Sequence, residues 1–512
     1  MSHGGLRQKA VILCNARQNS RAEKLLKNFK GFATTTLQVS KLHELDDYTT
    51  QFKGSIAQLD SKMNHLSEGD LKEAISQALM SSDFKLLKYR FQRVTSEAIG
   101  YLGSHYKISV EFLYSDKEHL LHLFAKCLPQ DENLKIYVKE NEFFSKEAHF
   151  YICLAPQMNN LLPSELPLPI PLCYLARGPP LETCSAHNCS NDEESVIILE
   201  DLHARGYHMS NKWIPLDLPH CKLVLKALAV FHGGSFLIQK SQEKFEESQI
   251  NDLDEEEVVN VDLGLIKESE FILDRNHLSS RLLRATAEST ATVMIKLWPS
   301  QLKHIDYIRL VDSLWGHFQS VFSIVQPSSE YSNAVCHGNL CFYNLLFTYD
   351  KDANGITTPV DVKLVDLQMY RFAPPATDIL FLIYVCTRRE FRDKYLSELL
   401  SYYYKELGRT ISPSVKESFM TKSEFENSVM QMKIFGIMIA IHLIPIFLRQ
   451  GSETEQTKPA KCSLTQIPDI LESLLSDRSE QILDNIRENP EIKERVEEIY
   501  KEYLEFIDLW GD

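Results

Sequence analysis

The run His337-Gly338-Asn339-Leu340-Cys341-Phe342-Tyr343-Asn344 and, beyond a turn at Asp352 to Gly355, the run Val362-Lys363-Leu364-Val365-Asp366-Leu367-Gln368 decide how this chain is read. The apolar residues after Asn344 and before Asp366 predict two strands joined by that turn. Asn344 then ends the loop that enters the first strand, and Asp366 follows the second. A carboxylate and an amide oxygen so placed are hard ligands. They suit a divalent metal that bridges the phosphates of ATP and neutralises their charge during phosphoryl transfer.

Upstream, Ser67 and Asp70 precede Leu71-Lys-Glu-Ala-Ile-Ser-Gln-Ala-Leu79, the spacing of a capped amphipathic helix, so a domain is expected to start near Met63. Residues 1–62 carry several basic side chains and no recognisable chemistry. Three strands are predicted, at Phe91–Ala98, Tyr106–Leu113 and Leu120–Leu128. A helix is expected over Glu140–Leu154, ending before Pro156. A proline-rich loop (Pro163, Pro167, Pro169, Pro171) leads to an edge strand at Ser195–Leu199, which runs into Glu200-Asp201-Leu202. A helix over Pro219–Ser235 is expected to close on His232-Gly233-Gly234. Lys240–Asp262, with Asp254-Glu-Glu-Glu257, reads as a flexible acidic insertion. Leu265–Gln326 and most of 378–450 and 464–510 read as helical, with Asn489-Pro490 capping the last helix.

Composition bounds the class. Of 512 residues, 44% are hydrophobic and 24% charged, ordinary for a globular protein. The formal net charge of −15 has the wrong sign for a general nucleic-acid or anionic-membrane binder. The 11 cysteines are scattered without a CxxC pair, which fits structural thiols in a reducing, cytoplasmic setting. The apolar run Ile434–Leu448 holds His442 and Pro445 and falls short of the about 20 residues that span a bilayer, so a buried helix is expected there and no membrane partner.

The HGNLCFYN and VDLQ runs resemble the catalytic and metal loops of the choline kinase and aminoglycoside phosphotransferase superfamily, and within it most of all the ecdysteroid kinase-like (CHK kinase-like) family. Further matches are Phe124-Ala-Lys126-Cys-Leu-Pro129, Glu147 in KEAHFY, Leu199-Glu-Asp-Leu202, Leu228-Ala-Val-Phe-His232, Pro375-Ala-Thr-Asp378-Ile379 and Phe435-Gly436 to Pro445, in the family's order over most of the chain. The resemblance implies an α+β, two-lobed protein-kinase-like fold: a small N-lobe of antiparallel sheet plus helix over 63–202, and a larger, mostly helical C-lobe over 203–512. It implies ATP and Mg2+ as cofactors. The implied acceptor is a small hydroxylated molecule, such as a steroid.

Carried over by position, Lys126 resembles the lysine that holds the α- and β-phosphates, and Glu147 the glutamate that orients it. Gly100-Tyr-Leu-Gly103-Ser104 lies where backbone amides could cover phosphate, although glycine turns between strands are common. Glu200 to Leu202 lies where the lobes join and the adenine edge would be met. Asn344 and Asp366 resemble the metal ligands, and Asp378 a structural partner of the catalytic loop. The departure that matters is Asn339, where the family has a catalytic aspartate. An amide cannot take the proton of an acceptor hydroxyl, although it can hydrogen-bond it. Cys341 and Tyr343 replace a tryptophan and an asparagine of the family pattern. A binding protein that holds nucleotide without turning it over is therefore the competing function.

Plainer readings stand beside these. Lys126 alone on a strand would be a solvated surface lysine, Glu147 an exposed helix charge, and Asp366 a turn residue; only their joint order argues otherwise. His337 reads as a scaffold residue bonded to loop backbone. Cys184, His187 and Cys189 lack a second ligand pair at zinc-finger spacing. His232 reads as a packed histidine.

Overall fold

The computed structural model describes residues 66–94, 103–179, 181, 195–249, 262–351, 355, 357–448 and 475–510. Residues 1–62, Gly100, the cysteine-rich turn at Cys184–Cys189 and the acidic run Asp254–Glu257 lie outside them.

Ser67 opens the first helix, α1 (Glu68–Leu79), with a reciprocal capping box: its hydroxyl takes the Asp70 N–H at 3.2 Å, and the Asp70 carboxylate takes the Ser67 N–H at 2.7 Å. The strands that follow are β1 (Lys85–Arg93), β2 (Ser104–Tyr114) and β3 (Lys117–Cys127). Ser115 and Asp116, with φ of 51° and 58°, form the two-residue turn whose twist suits the β2–β3 hairpin. Next come α2 (Glu132–Glu140), α3 (Phe143–His149) and α4 (Ala155–Leu161), then β4 (Cys173–Arg177) and β5 (Val196–Glu200). The strands form one antiparallel sheet in the order β1-β2-β3-β5-β4. One face buries Ile108, Val110, Leu123, Ala125 and Ile198 under Leu71 and Ile75 of α1, and an Asp70–Arg177 ion pair ties helix to sheet. Strand alternation then sends Lys126 to the opposite face, toward α3.

The larger part is helical: α5 (Leu218–Gln249), α6 (Leu278–Leu297), α7 (Tyr307–Ile324), α8 (Ala376–Cys386), α9 (Arg389–Ile411), α10 (Pro413–Phe419), α11 (Lys422–Gln431), α12 (Lys433–Phe447), α13 (Ser479–Glu488) and α14 (Pro490–Phe506). Among the helices lie short strand pairs that carry the loops. Strands β6 (His208–Met209), β8 (Leu345–Lys351) and β9 (Thr357–Leu364) form one sheet, and β7 (Ala334–Cys336) pairs with β10 (Arg371–Ala373). Every residue of α8 is buried, and the C-terminal helix is clamped to the start of α9 by Arg388–Glu498, Arg389–Glu505 and Arg392–Glu502 ion pairs. This is the α+β, two-lobed arrangement expected: an antiparallel sheet with a helix, then a helical lobe.

Several local expectations are corrected. The first strand runs over Lys85–Arg93, not Phe91–Ala98: it is an edge strand rich in lysine and arginine, its register fixed by pairing of Lys85 with Leu113 through Arg93 with Tyr106. The helix over Glu140–Leu154 does not stop before Pro156. A π-helical turn at Phe150–Leu154, closed by the Ala155 N–H on the Phe150 carbonyl, lets a fresh helical segment begin where proline's missing N–H is not needed. The strand at Val196–Glu200 is internal, because β4 emerges from the proline-rich loop to take the edge. The helix at 218 does not end at Gly233-Gly234 but continues to Gln249, so the first part of the stretch read as a flexible insertion is helical. These glycines serve close crossing: a Cβ at Gly233 would come within 2.7 Å of Thr410 on α9, and one at Gly234 within 3.0 Å of Met158 on α4. Among the described residues, Leu218–Glu243 is long and apolar enough to cross a membrane, and 78% of that window is buried inside the fold. The Ile434–Leu448 run is buried as α12, as expected.

Candidate functional site

The strand, the helix and the loop named above converge on one ammonium. Lys126 Nζ on β3 donates to both carboxylate oxygens of Glu147 on α3, each at 2.8 Å, and to Asp366 Oδ1 at 2.9 Å. Glu147 is buried, and Asp366 sits just past β9 with a left-handed backbone, φ 66°. Burial alone would push Lys126 down, but Asp366 and Glu147 together hold its ammonium above the usual range. Burial also opposes the charge on Asp366, and Lys126 overcomes it and holds that carboxyl low. Glu147 moves the other way, pushed up by burial against the pull of Lys126. Two carboxylates thus share a single lysine, an excess of negative charge that a divalent cation would balance.

His105 lines the same place, and no sequence argument pointed to it. It pairs in register with Lys126 across β2–β3 and stacks on Phe124 at 5.6 Å between centroids. Burial, then the Lys126 charge, push its imidazole down to about 3, so it is neutral. Gly103 and Ser104 stand at the start of β2, where Ser104 pairs with Cys127 beside Lys126. The available signal for His105 was its strand register opposite Lys126, which became readable only once the hairpin turn was placed.

The loop after β7 is held from beneath. Asp378 on α8 accepts the backbone N–H groups of His337 at 2.6 Å and Gly338 at 2.9 Å, and it contacts His232 Nε2 at 3.1 Å; His232 Nδ1 lies 2.8 Å from the Tyr403 hydroxyl. The Asn339 N–H donates to His337 Nδ1 at 3.3 Å, so the ring carries its proton on Nε2 and donates it to the Val365 carbonyl at 2.9 Å. Burial keeps this imidazole below its usual value. His337 therefore ties the loop of Asn339 to the loop of Asp366, in a backbone-bonding role. His232, Cys336 and Asp378 have ligand atoms within 4.8 Å of one another. Those atoms already bond protein partners, and the group acts as loop support.

Asn344 Nδ2 donates to the Asn339 carbonyl at 2.8 Å, which leaves Oδ1 as the acceptor of that side chain. The donor set of Asp366 carboxylate and Asn344 amide oxygen is all hard oxygen and fits Mg2+. Glu200 uses its side chain structurally, accepting the Leu172 N–H at 2.9 Å and pairing with Arg205, while Leu202 packs on Tyr207 and Leu346 where sheet and helical lobe meet. Cys341 is buried, and the Tyr343 ring stands 5.6 Å from that of Phe447 on α12. Gly100 falls outside the described residues. Arg371, which buttresses the site, had no sequence motif to mark it, and Lys146 lies in the KEAHFY run without a role that the run assigns.

A small antiparallel lobe that presents a lysine–glutamate pair to an Asn- and Asp-bearing hairpin in a helical lobe defines a kinase-like protein. The family model of the ecdysteroid kinase-like family matches residues 98–413, and the chain belongs to that family. No curated protein matches the chain.

Proposed function

We propose that this protein binds ATP with Mg2+ between its lobes and serves as a small-molecule phosphotransferase whose transfer step is slowed by Asn339. The observation that carries the reading is the meeting of Lys126, Glu147 and Asp366 from three separate elements at hydrogen-bond distance. In this reading Lys126, oriented by Glu147, holds the α- and β-phosphates, and Gly103 and Ser104 stand beside them at the strand end. The Glu200–Leu202 backbone meets the adenine edge. Asp366 and Asn344 Oδ1 would hold the magnesium, whose contribution when bound is to neutralise the phosphate oxygens. Asn339 hydrogen-bonds the acceptor hydroxyl and keeps it near the phosphorus. The acceptor is a small hydroxylated molecule, and a steroid alcohol is the class the family suggests.

Asn339 also favours a second reading. General-base help is worth about 10²–10⁴ in rate, and an amide cannot supply it. A chain that keeps the phosphate lysine and the metal residues yet lacks the base suits a nucleotide- or ligand-binding protein. The free thiols of buried Cys127, Cys221, Cys336 and Cys386 fit a reducing, cytoplasmic setting for either. The deciding experiment is transfer from labelled ATP across a panel of small alcohols, run beside an ATP-binding measurement on the same sample. Binding with transfer supports the first reading, binding alone the second, and neither removes both.

A further inference from the structure

Behind the site, the stretch from Lys267 to Phe271, which leads from the acidic segment toward α6, touches both halves of the candidate machinery. Its Lys267 carbonyl and Ser269 hydroxyl accept from Lys146 Nζ at 3.0 and 3.2 Å. Lys146 is buried on α3, immediately before Glu147, and its ammonium lies 5.2 Å from the Tyr370 ring centroid. Glu268 folds back to accept the N–H groups of Glu270 at 2.7 Å and Phe271 at 3.0 Å, which closes the stretch into a turn. The other Glu268 oxygen lies 3.1 Å from Nε of Arg371, which is 1% exposed and donates from Nη2 to the Gly338 carbonyl at 3.1 Å. One short segment therefore grips the helix that presents Glu147 and the loop that presents Asn339. Burial pushes Lys146 down to about 8 against the pull of Glu268, so a charged group is kept here against its desolvation. A buried apolar residue would pack the same space at lower cost, unless the donor itself is needed for position.

We infer that Lys146 is a positioning residue through which the Lys267–Phe271 strap sets the orientation of Glu147 toward Lys126, so that nucleotide affinity is governed by a segment that never touches nucleotide. The inference rests on the nucleotide-clamp reading of Lys126 and Glu147. Its test uses the full chain, with ATP and Mg2+ as the probe, and the variants Lys146→Met, Lys146→Arg, Ser269→Ala, Glu147→Gln and Lys146→Met/Glu147→Gln. Lys146→Met is expected to weaken ATP about 10-fold, Ser269→Ala by less, and Lys146→Arg to restore most of the loss because it keeps the donor. In the Glu147→Gln background Lys146→Met should add little, since both changes act through one group. Hydrogen exchange of the nucleotide-free protein should quicken over 143–161 and stay unchanged over 490–506. Full additivity with Glu147→Gln, or wild-type affinity in both Lys146→Met and Ser269→Ala, overturns the inference. If wild-type protein binds no ATP, the clamp reading fails on its own, and the exchange data then decide the strap. Faster exchange confined to 143–161 supports it as the holder of that helix, and unchanged exchange overturns it.

Discussion

Asn344 Nδ2 donates to the backbone carbonyl of Asn339 at 2.8 Å, so the loop's link to the metal-side residue runs through the main chain of position 339. The Asn339 N–H, held by His337 Nδ1, adds a second main-chain tie. The shape of the loop is thus independent of whether residue 339 carries an amide or a carboxylate. A change of chemistry at 339 can be made without a change of frame.

Gly338 is where that frame is most sensitive. Its φ is +83°, and a Cβ there would stand 2.1 Å from the Met369 carbonyl oxygen and 2.9 Å from Arg371 Nε. Gly338→Ala is expected to destabilise by about 3 kcal/mol or more, through both the backbone conformation and the collision with a carbonyl that cannot move alone. Urea unfolding measures this, and a midpoint equal to wild type would contradict the close approach.

Lys126→Ala and Asp366→Ala are expected to differ in kind. Removing Lys126 leaves Glu147 and Asp366 facing each other unpaired, so stability should fall by about 3 kcal/mol and ATP binding should weaken with or without magnesium. Removing Asp366 leaves the Lys126–Glu147 pair balanced, so the fold should persist while magnesium-dependent ATP binding is lost. Titration calorimetry with and without magnesium checks both. Unchanged affinity in the two variants would sink the site assignment.

His105 gives a pH signature. Its folded value of about 3 lies below the ordinary 6.5, so between those values the unfolded chain binds a proton that the native protein does not. The stability it contributes is whole above pH 6.5, falls as pH drops, and levels off below about 3. Between pH 7 and pH 5 this group should lower the unfolding free energy by about 2 kcal/mol. His105→Gln should remove that increment from the difference between denaturant titrations at the two pH values, and an identical difference in both proteins would refute the buried neutral assignment.

Residues 1–62 are expected to be dispensable for folding, since no core-forming periodicity or motif lies in their sequence and that periodicity begins with the capped helix after Ser67. A chain starting at Met63 should melt within a few degrees of the full protein. Aggregation of the shortened chain would show that the segment completes the core.

Much of this architecture was legible where local chemistry and tertiary packing agree. The Ser67–Asp70 box, the Asn489 cap before Pro490 and the hairpin between Asn344 and Asp366 each announce themselves within a few residues. Legibility failed where packing overrode a local cue. Gly233-Gly234 carries a helix-ending signature, but it is used to bring α5 against Thr410 and Met158. Strand β1 hides its period because its edge position keeps lysines and arginines outward. The buttress was invisible for another reason: Lys146 stands in the KEAHFY run and Gly338 in the HGN run, but they meet Lys267 and Arg371 across separations of 121 and 33 residues, and no motif marks those partners. His105 was missed because a strand histidine has no meaning until its cross-strand partner is known to be Lys126.

If the frame for ATP and an acceptor is intact and only the base is missing, wild type and Asn339→Asp should differ in a labelled-ATP transfer assay and in nothing else. ATP affinity and melting temperature should be equal in the two proteins, with transfer raised by as much as about 10²-fold in the aspartate variant. A wild-type protein that already turns over at ordinary kinase rates, about 1–100 s⁻¹, would contradict this, because the asparagine would then be no obstacle.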